Sequence, residues 1–456
     1  MNVVSGEQNS KLTSVEGATF MGHPRGLAYI VFTETWERFS FYGMQALLVL
    51  YMYTHLLQPG VIDNVIGFSQ FRLFIEGVFG SLSIQAMASQ IFGLYIGFVY
   101  FTPVIGGWLG DRHLGQQKAV LLGALFMAVG HFLMAFEPLF LFALLALIIG
   151  SGLLKGNLAA QVGRLYEKND QRRDTAYSAY NMSINVGAFV APLICGTLGE
   201  VYGWHYGFGV AGIGMLVGIV IYLRGQKYLP KDNQRGAAGE VKKLQPGDGK
   251  AIIAILCLFL IAATYWTAQT QVWNAYPIWI KEEVARNLSD FVVPVTWFQS
   301  LDSLSVLLLG PLVIWLWEVQ RKKGVEPTDL LKISIGYMAV ASAFFWLAGA
   351  EILSGDKEVA LLWPFLFHFI TSFGFLYIAP IMLALVSRAA PEAVNAMMVS
   401  SYYLAIFAGS FASGWLGRFY EPMSPEIFWA MHGAIVGGGA LLVILFKGAF
   451  IKYLRL

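Results

Sequence analysis

The sequence predicts an all-α membrane protein of about twelve transmembrane helices in two six-helix bundles, and three observations lead there. Of 456 residues, 57% are hydrophobic and only 13% charged, too few polar groups to cover a soluble globule. The apolar residues gather in runs of roughly 20, the length of helix that crosses a bilayer. Lysine and arginine collect in alternate connections, as they do in loops held on one side of a membrane.

The first set of runs lies near 27–54, 84–110, 118–136, 138–161, 175–200 and 206–224. The second lies near 251–280, 292–318, 331–350, 360–388, 393–418 and 428–451. Between them, "RGQKYLPKDNQRGAAGEVKKLQPGDGK" is polar, rich in glycine and lysine, and too short for another helical pair. It reads as a flexible linker. The expected organisation is a cytoplasmic tail over 1–20, a bundle over 21–224, a cytoplasmic linker over 225–249 and a second bundle over 250–456.

The basic connections hold Arg112 and Lys118, then Arg164, Lys168, Arg172 and Arg173, then the linker, then Arg321, Lys322 and Lys323. The opposite loops, such as "KEEVARNLSD" and "EILSGDKEVA", are mixed in sign. The basic loops are therefore expected in the cytoplasm, together with both termini. Residues 1–20 lack the basic, apolar and small-residue series of a cleaved signal, so the first span is expected to direct its own insertion. A net charge of +2, divided among loops, leaves no footprint for nucleic acid. Cys195 and Cys257 sit inside apolar runs and predict neither a disulfide framework nor a metal site.

The first span contains "FTETWERFSFYG". Glu34, Glu37 and Arg38 are spaced by three and four residues, which puts them on one helical face. With a rise of ~1.5 Å per residue, Arg38 lies ~18 Å from a start near Gly26, close to the midplane. A charge there costs about 2.5–3.5 kcal/mol, so it faces a partner or a wet cavity. One reading is a structural ion pair that locks the helix to a neighbour. The other starts from the excess of acid over base, which leaves one carboxylate to take up and release a proton.

Further polar groups occupy other spans. Lys155 lies in "GSGLLKGNLAAQVGRLY", and Asn185, in "YSAYNMSINVGAFVAP", falls ~16 Å from a helix start near Asp174. Asp302, in "VTWFQSLDSLSVLLLGP", is the clear midspan acid of the second half. Tyr42, Tyr95 and Tyr100 suit either a cavity wall or ordinary packing. His131 and His368 read as interhelical hydrogen-bonding groups and take no part in the expected mechanism. No nucleophile, metal set or cofactor loop accompanies the buried charges, so neither an enzyme nor a cofactor is expected.

The loop "GGWLGDRHLGQQK" resembles the signature between the second and third helices of the major facilitator superfamily, whose cargo sits near the midplane between two halves. Asp111 and Arg112 within it are suited to pair or to cap helix ends at the cytoplasmic face. The sequence as a whole resembles the proton-coupled oligopeptide transporters of bacterial type. The "ETWERFSFYG" stretch is similar to that family's ExxER signature, and "GHPRGL", "YIGFVYFTPVIGGWLGDR", "GSGLLKGN", "INVGAFVAP", "GWHYGFGVAGIGM" and "WFQSLDSLSVLLLGP" extend the likeness over nearly the whole chain.

The resemblance implies symport of di- and tripeptides with protons into the cell, by alternating access, in the bacterial inner membrane. It implies that Glu34 and Glu37 couple protons with Arg38. It further implies that Arg38 and Lys155 receive the peptide carboxylate, with Tyr42, Tyr95 and Asn185 lining the site. Protons are then the coupling ion, and a single chain is the expected functional unit. The departures are also specific. Gln45 stands where the family commonly has arginine, Thr270 where it has a helix 7 glutamate, and Phe375 where it has a helix 10 glutamate. Asp302 replaces a usual asparagine and is expected to couple protons and bind cargo, pairing with Lys155 or Arg38 or meeting the substrate amine. Loss of the helix 10 acid keeps two alternatives open, a transporter of another small anion such as nitrate and a nutrient receptor without net transport.

Overall fold

The computed structural model describes residues 19–167, 170–230 and 244–454. Most of the expected tail, Lys168 and the central part of the linker, residues 231–243, lie outside them. The helices are α1 (Arg25–Tyr51), α2 (Phe68–Phe79), α3 (Ile84–Leu109), α4 (Gln116–Leu133), α5 (Phe140–Arg164), α6 (Arg172–Ala191) and α7 (Trp204–Gly225). The second set comprises α8 (Asp248–Gln271), α9 (Ala275–Glu283), α10 (Trp297–Lys322), α11 (Asp329–Ser354), α12 (Leu362–Ala389), α13 (Asn395–Gly417), α14 (Pro425–Leu445) and α15 (Lys447–Leu454).

Ten helical segments among the described residues are long and apolar enough to cross a membrane. Helices α1 and α13 have the length as well. Each carries more polar groups: Glu34, Glu37 and Arg38 in one, Ser400, Ser401, Ser410 and Ser413 in the other. Together they supply the twelve expected spans.

Packing in lipid depends on close backbone approach, because apolar tails offer no hydrophobic gain between helices. Glycine provides it here. A Cβ on Gly106 of α3 would fall 2.0 Å from the Gly152 carbonyl of α5, and one on Gly187 of α6 would fall 2.8 Å from Arg38 Cβ. Within the first set, α1 packs on α6 and α7, and α5 on α3 and α4. Within the second, α11 packs on α12 and α14, and α8 on α13 and α14. Contacts of α3 with α13 and of α6 with α10 join the sets.

Hydrogen bonds tie the halves at the end opposite the basic loops. Glu200 accepts from the Val295 and Thr296 amides at 2.9 and 2.8 Å and from Thr296 Oγ1 at 2.7 Å. Trp297 Nε1 donates to Thr197 Oγ1 at 2.8 Å, and Tyr53 donates its hydroxyl to Glu282 at 2.7 Å.

Two elements differ from the sequence reading. The run 251–280 is not one helix: it breaks at residues 272–274, where Asn274 has φ −111° and ψ −93°. Pro277 has no amide to donate back along the chain. Gln271 fills the gap by accepting from the Ala275 amide at 3.3 Å while donating to the Ser413 carbonyl at 3.0 Å. The second addition is α2, bracketed by Gly67 and Gly80 at φ +78° and +80°. Leu73, Phe74 and Val78 are exposed while Phe68 and Ile75 are buried, the pattern of a helix lying along an interface.

Candidate functional site

Helix α1 delivers the charged face as its spacing requires. Arg38 Nε donates to Glu34 Oε1 at 2.6 Å and lies 3.0 Å from Glu37 Oε2. Glu34 and Glu37 are fully buried, and Arg38 is 7% exposed. The three groups occupy the middle of a helix whose following turns, from Met44 to Met52, are almost wholly buried apolar side chains. Gly187 makes the arrangement possible, since it lets α6 come against the backbone and Cβ of the Thr35–Arg38 turn.

Lys155 of α5 faces the same cluster. Its ammonium stands 3.9 Å from the centre of the Phe41 ring and 4.7 Å from that of Tyr100, a cation held against aromatic faces. Among the described residues it has no hydrogen-bond acceptor, and neither do Glu37 Oε1 and Oε2 have a donor. Glu34 and Glu37 lie within electrostatic reach of both Arg38 and Lys155. The excess of acid read from α1 alone is therefore corrected by a neighbouring helix, with two carboxylates set against two cations. A buried polar atom without a partner costs about 1–3 kcal/mol, more when charged. The Lys155 ammonium, without an acceptor among the described residues, is thus the group best placed to meet an incoming anionic ligand.

Aromatic groups close the surroundings. Tyr95 is buried beside Glu37, and Tyr180 of α6 is buried beside Glu34 and Arg38. Tyr42 meets Trp273 of the second half with ring centres 5.4 Å apart. Asn185 is half-buried and donates to the Asn181 carbonyl of its own helix at 3.0 Å. No hydrogen bond joins it to the cluster among the described residues. Tyr180 and Trp273 were not singled out in the sequence. The break before Pro277, which frees Trp273 from a continuous helix, was the available signal.

Asp302 does not pair with Lys155 or Arg38. Its Oδ1 accepts from His368 Nδ1 of α12 at 2.7 Å, and its Oδ2 accepts from Gln269 Nε2 of α8 at 3.3 Å. His368 also meets the Tyr276 hydroxyl at 2.9 Å through Nε2. The correction has a physical reason: an acid on α10 with an imidazole on the adjacent α12 meets its desolvation cost locally. His368 does bridge helices, but its partner is the second half's midspan acid.

The positions that depart from the transporter pattern carry neutral contacts. Thr270 Oγ1 and Ser410 Oγ lie 3.3 Å apart, Gln45 is 7% exposed, and Phe375 is half-buried among apolar side chains. At the basic end, Asp111 accepts from Gln116 at 3.1 Å, and Arg112 is exposed. Asn157 donates to the Gly106 carbonyl at 2.9 Å, fastening α5 to α3 just before that loop.

A helical membrane protein with two sets of spans and ionisable groups buried midway along them has the build of a secondary transporter. The chain matches the model of the POT family over residues 117–242 and 233–429, more than half its length, and belongs to that family. It is 29% identical over 506 residues to the peptide transporter YePEPT of Yersinia enterocolitica, covering 94% of this chain and 95% of that protein. It is 28% identical over 499 residues to a di-/tripeptide transporter of Lactococcus lactis subsp. cremoris, covering 93% and 96%. Among solved structures it is similar to a peptide transporter POT in complex with sulfate, with TM-score 0.85, 27% identity and coverage of 97% and 98%. The chain is a multi-pass protein of the bacterial inner membrane, and its relatives are transporters rather than enzymes.

Proposed function

We propose that the protein carries small peptides into the cell together with protons by alternating access of two bundles, 21–224 and 250–456, about a midplane site. The observation that carries this reading is the gathering of Arg38, Glu34, Glu37 and Lys155 in one buried cluster, with both acids ion-paired to Arg38 and the Lys155 ammonium without an acceptor among the described residues. In it, Arg38 is held by Glu34 until a proton neutralises an acid of the cluster. The freed guanidinium and Lys155 then take the peptide carboxylate with charge-assisted bonds. Tyr42, Tyr95 and Asn185 complete the cargo wall, Asp302 supplies the acid of the second half, and Asp111 with Arg112 serves the cytoplasmic hinge. Protons are the coupling ion, no cofactor takes part, both termini and the linker lie in the cytoplasm, and one chain is the functional unit.

The energetics are adequate. At ~150 mV and half a pH unit, one proton supplies about 4.2 kcal/mol, roughly a thousandfold accumulation. The names of the relatives from Yersinia and Lactococcus support a peptide cargo.

A second reading, a transporter of another small anion, is favoured by one observation. Phe375 offers no acid to receive a peptide amine, whereas the unpartnered Lys155 suits any anion. Dialanine uptake by the purified protein in liposomes, with and without an inward proton gradient and in competition with nitrate, decides between them. Gradient-driven accumulation of dialanine that stops in Glu37→Gln supports peptide symport. Uptake blocked by nitrate but not by dialanine supports the anion reading, and binding without uptake would make the protein a receptor.

A further inference from the structure

We infer that Asp302, His368 and Tyr276 form one proton-binding unit in the second half, which takes the place of the acids absent at Thr270 and Phe375. The inference deepens the proposed symport and rests on it for its role in coupling.

An ionised carboxylate only accepts hydrogen bonds. The 2.7 Å contact of Asp302 Oδ1 with His368 Nδ1 therefore fixes the imidazole proton on Nδ1 and leaves Nε2 to accept from the Tyr276 hydroxyl at 2.9 Å. This is the logic of a carboxylate-oriented histidine, whose open nitrogen is the basic one. Tyr276 is held in turn against Phe367, Trp279 and Trp429, and it and His368 are fully buried. Asp302 is the exposed end of the chain of bonds, with a side chain 14% accessible against 0% for His368. A proton reaches the unit through Asp302.

The surroundings suit both proton counts. In the deprotonated state, Asp302 is an anion that accepts from His368 and from Gln269 Nε2. One added proton placed on Asp302 Oδ2 needs an acceptor. Gln269 Oε1, buried and without a partner among the described residues, becomes that acceptor when the amide turns over. The same proton placed on the imidazole sits at Nε2 against the Tyr276 oxygen, whose hydroxyl hydrogen rotates away. The two arrangements differ only in where one proton rests, so the added proton is shared by the pair.

The groups facing the unit are known from each neighbouring helix. Tyr42 comes from α1, Tyr265 and Gln269 from α8, Tyr276 from α9 and Ser372 from α12. On α14, His432 stands behind Trp429 and is engaged with the Phe428 carbonyl. Among the described residues no lysine or arginine lies within ion-pairing distance of Asp302, so the imidazole is the basic group paired with it.

Two measurements test the inference. The first follows the ¹⁵N signals of His368 in purified protein between pH 5 and 8, with Asp302→Asn and Tyr276→Phe for comparison. The expected result is one transition in the wild type that moves in both variants; a His368 that holds one form across the range, or titrates identically in all three, overturns the proposal. The second compares dialanine counterflow with gradient-driven accumulation in His368→Gln, which can keep both hydrogen bonds but cannot take the proton. Counterflow should persist while accumulation falls to about onefold, the value for uncoupled exchange; wild-type accumulation in this variant would overturn the coupling role. The titration needs no cargo. A wild-type protein that takes up no dialanine therefore overturns the peptide reading, while the proton unit stands or falls on the ¹⁵N result.

Discussion

Lys155 shows most directly how burial turns a residue into a site. Its ammonium lies on the Phe41 and Tyr100 rings and has no acceptor among the described residues, so it retains binding capacity that Arg38, committed to Glu34, does not. A charge-assisted bond lost from such a place costs about 1.5–3 kcal/mol, or roughly 10- to 150-fold in affinity. Lys155→Gln should weaken cargo binding by that factor, while dialanine uptake at saturating concentration falls less; titration of binding in detergent checks it, and unchanged affinity would remove Lys155 from the cargo site. The charged face of α1 was legible because three ionisable groups at helical spacing are too costly to bury without purpose. The partner of Asp302 was not, since His368 lies 66 residues away and only the packing of α12 on α10 brings them together.

At the scale of elements, glycine sets which helices touch. Gly106 and Gly107 are neighbours in α3, yet a Cβ on the first would overlap the Gly152 carbonyl at 2.0 Å, whereas one on the second would meet nothing within 4 Å. Overpacking of this kind costs about 1–3 kcal/mol. Gly106→Ala should therefore lower the thermal unfolding midpoint in detergent, and Gly107→Ala should leave it unchanged or raise it slightly through its better helix propensity. Equal behaviour of the two would mean that α3 and α5 are not held at this distance. Apolar length and basic loops located the spans to within a few residues, because both are properties of the local chain. The break between α8 and α9 escaped the same reading: the apolar run continues across it, and its cause is the missing amide of Pro277 together with Gln271 and Ser413. Helix α2 was missed because it is short and lies between spans, although its glycine brackets and apolar face were in view.

For the whole molecule, alternating access requires that the contacts closing one end be strong enough to hold and weak enough to break in every cycle. Gln45 and Thr270, both neutral, stand where the transporter pattern has an arginine and a glutamate. Glu200 instead reaches from the end of the first half to the start of α10 and accepts three hydrogen bonds, at 2.7, 2.8 and 2.9 Å. The carboxylate meets the positive end of a helix, an interaction that favours its charge. Gly196 beside it allows the approach, since a Cβ there would fall 2.0 Å from Thr296 Oγ1. Removing the carboxylate leaves the Val295 and Thr296 amides, just ahead of α10, without this partner and should cost the closed state about 2 kcal/mol, a shift of roughly 30-fold toward opening. In protein with both native cysteines replaced by serine and Gln45 changed to cysteine, Glu200→Ala should accordingly raise the rate of alkylation by an external, membrane-impermeant maleimide by a factor of that order. If opening limits turnover, exchange should also quicken; if proton release limits it, exchange should stay constant while alkylation rises. Alkylation that does not change would show that the α3–α13 contact, where Gly93 and Gly414 meet, closes this end without help from Glu200.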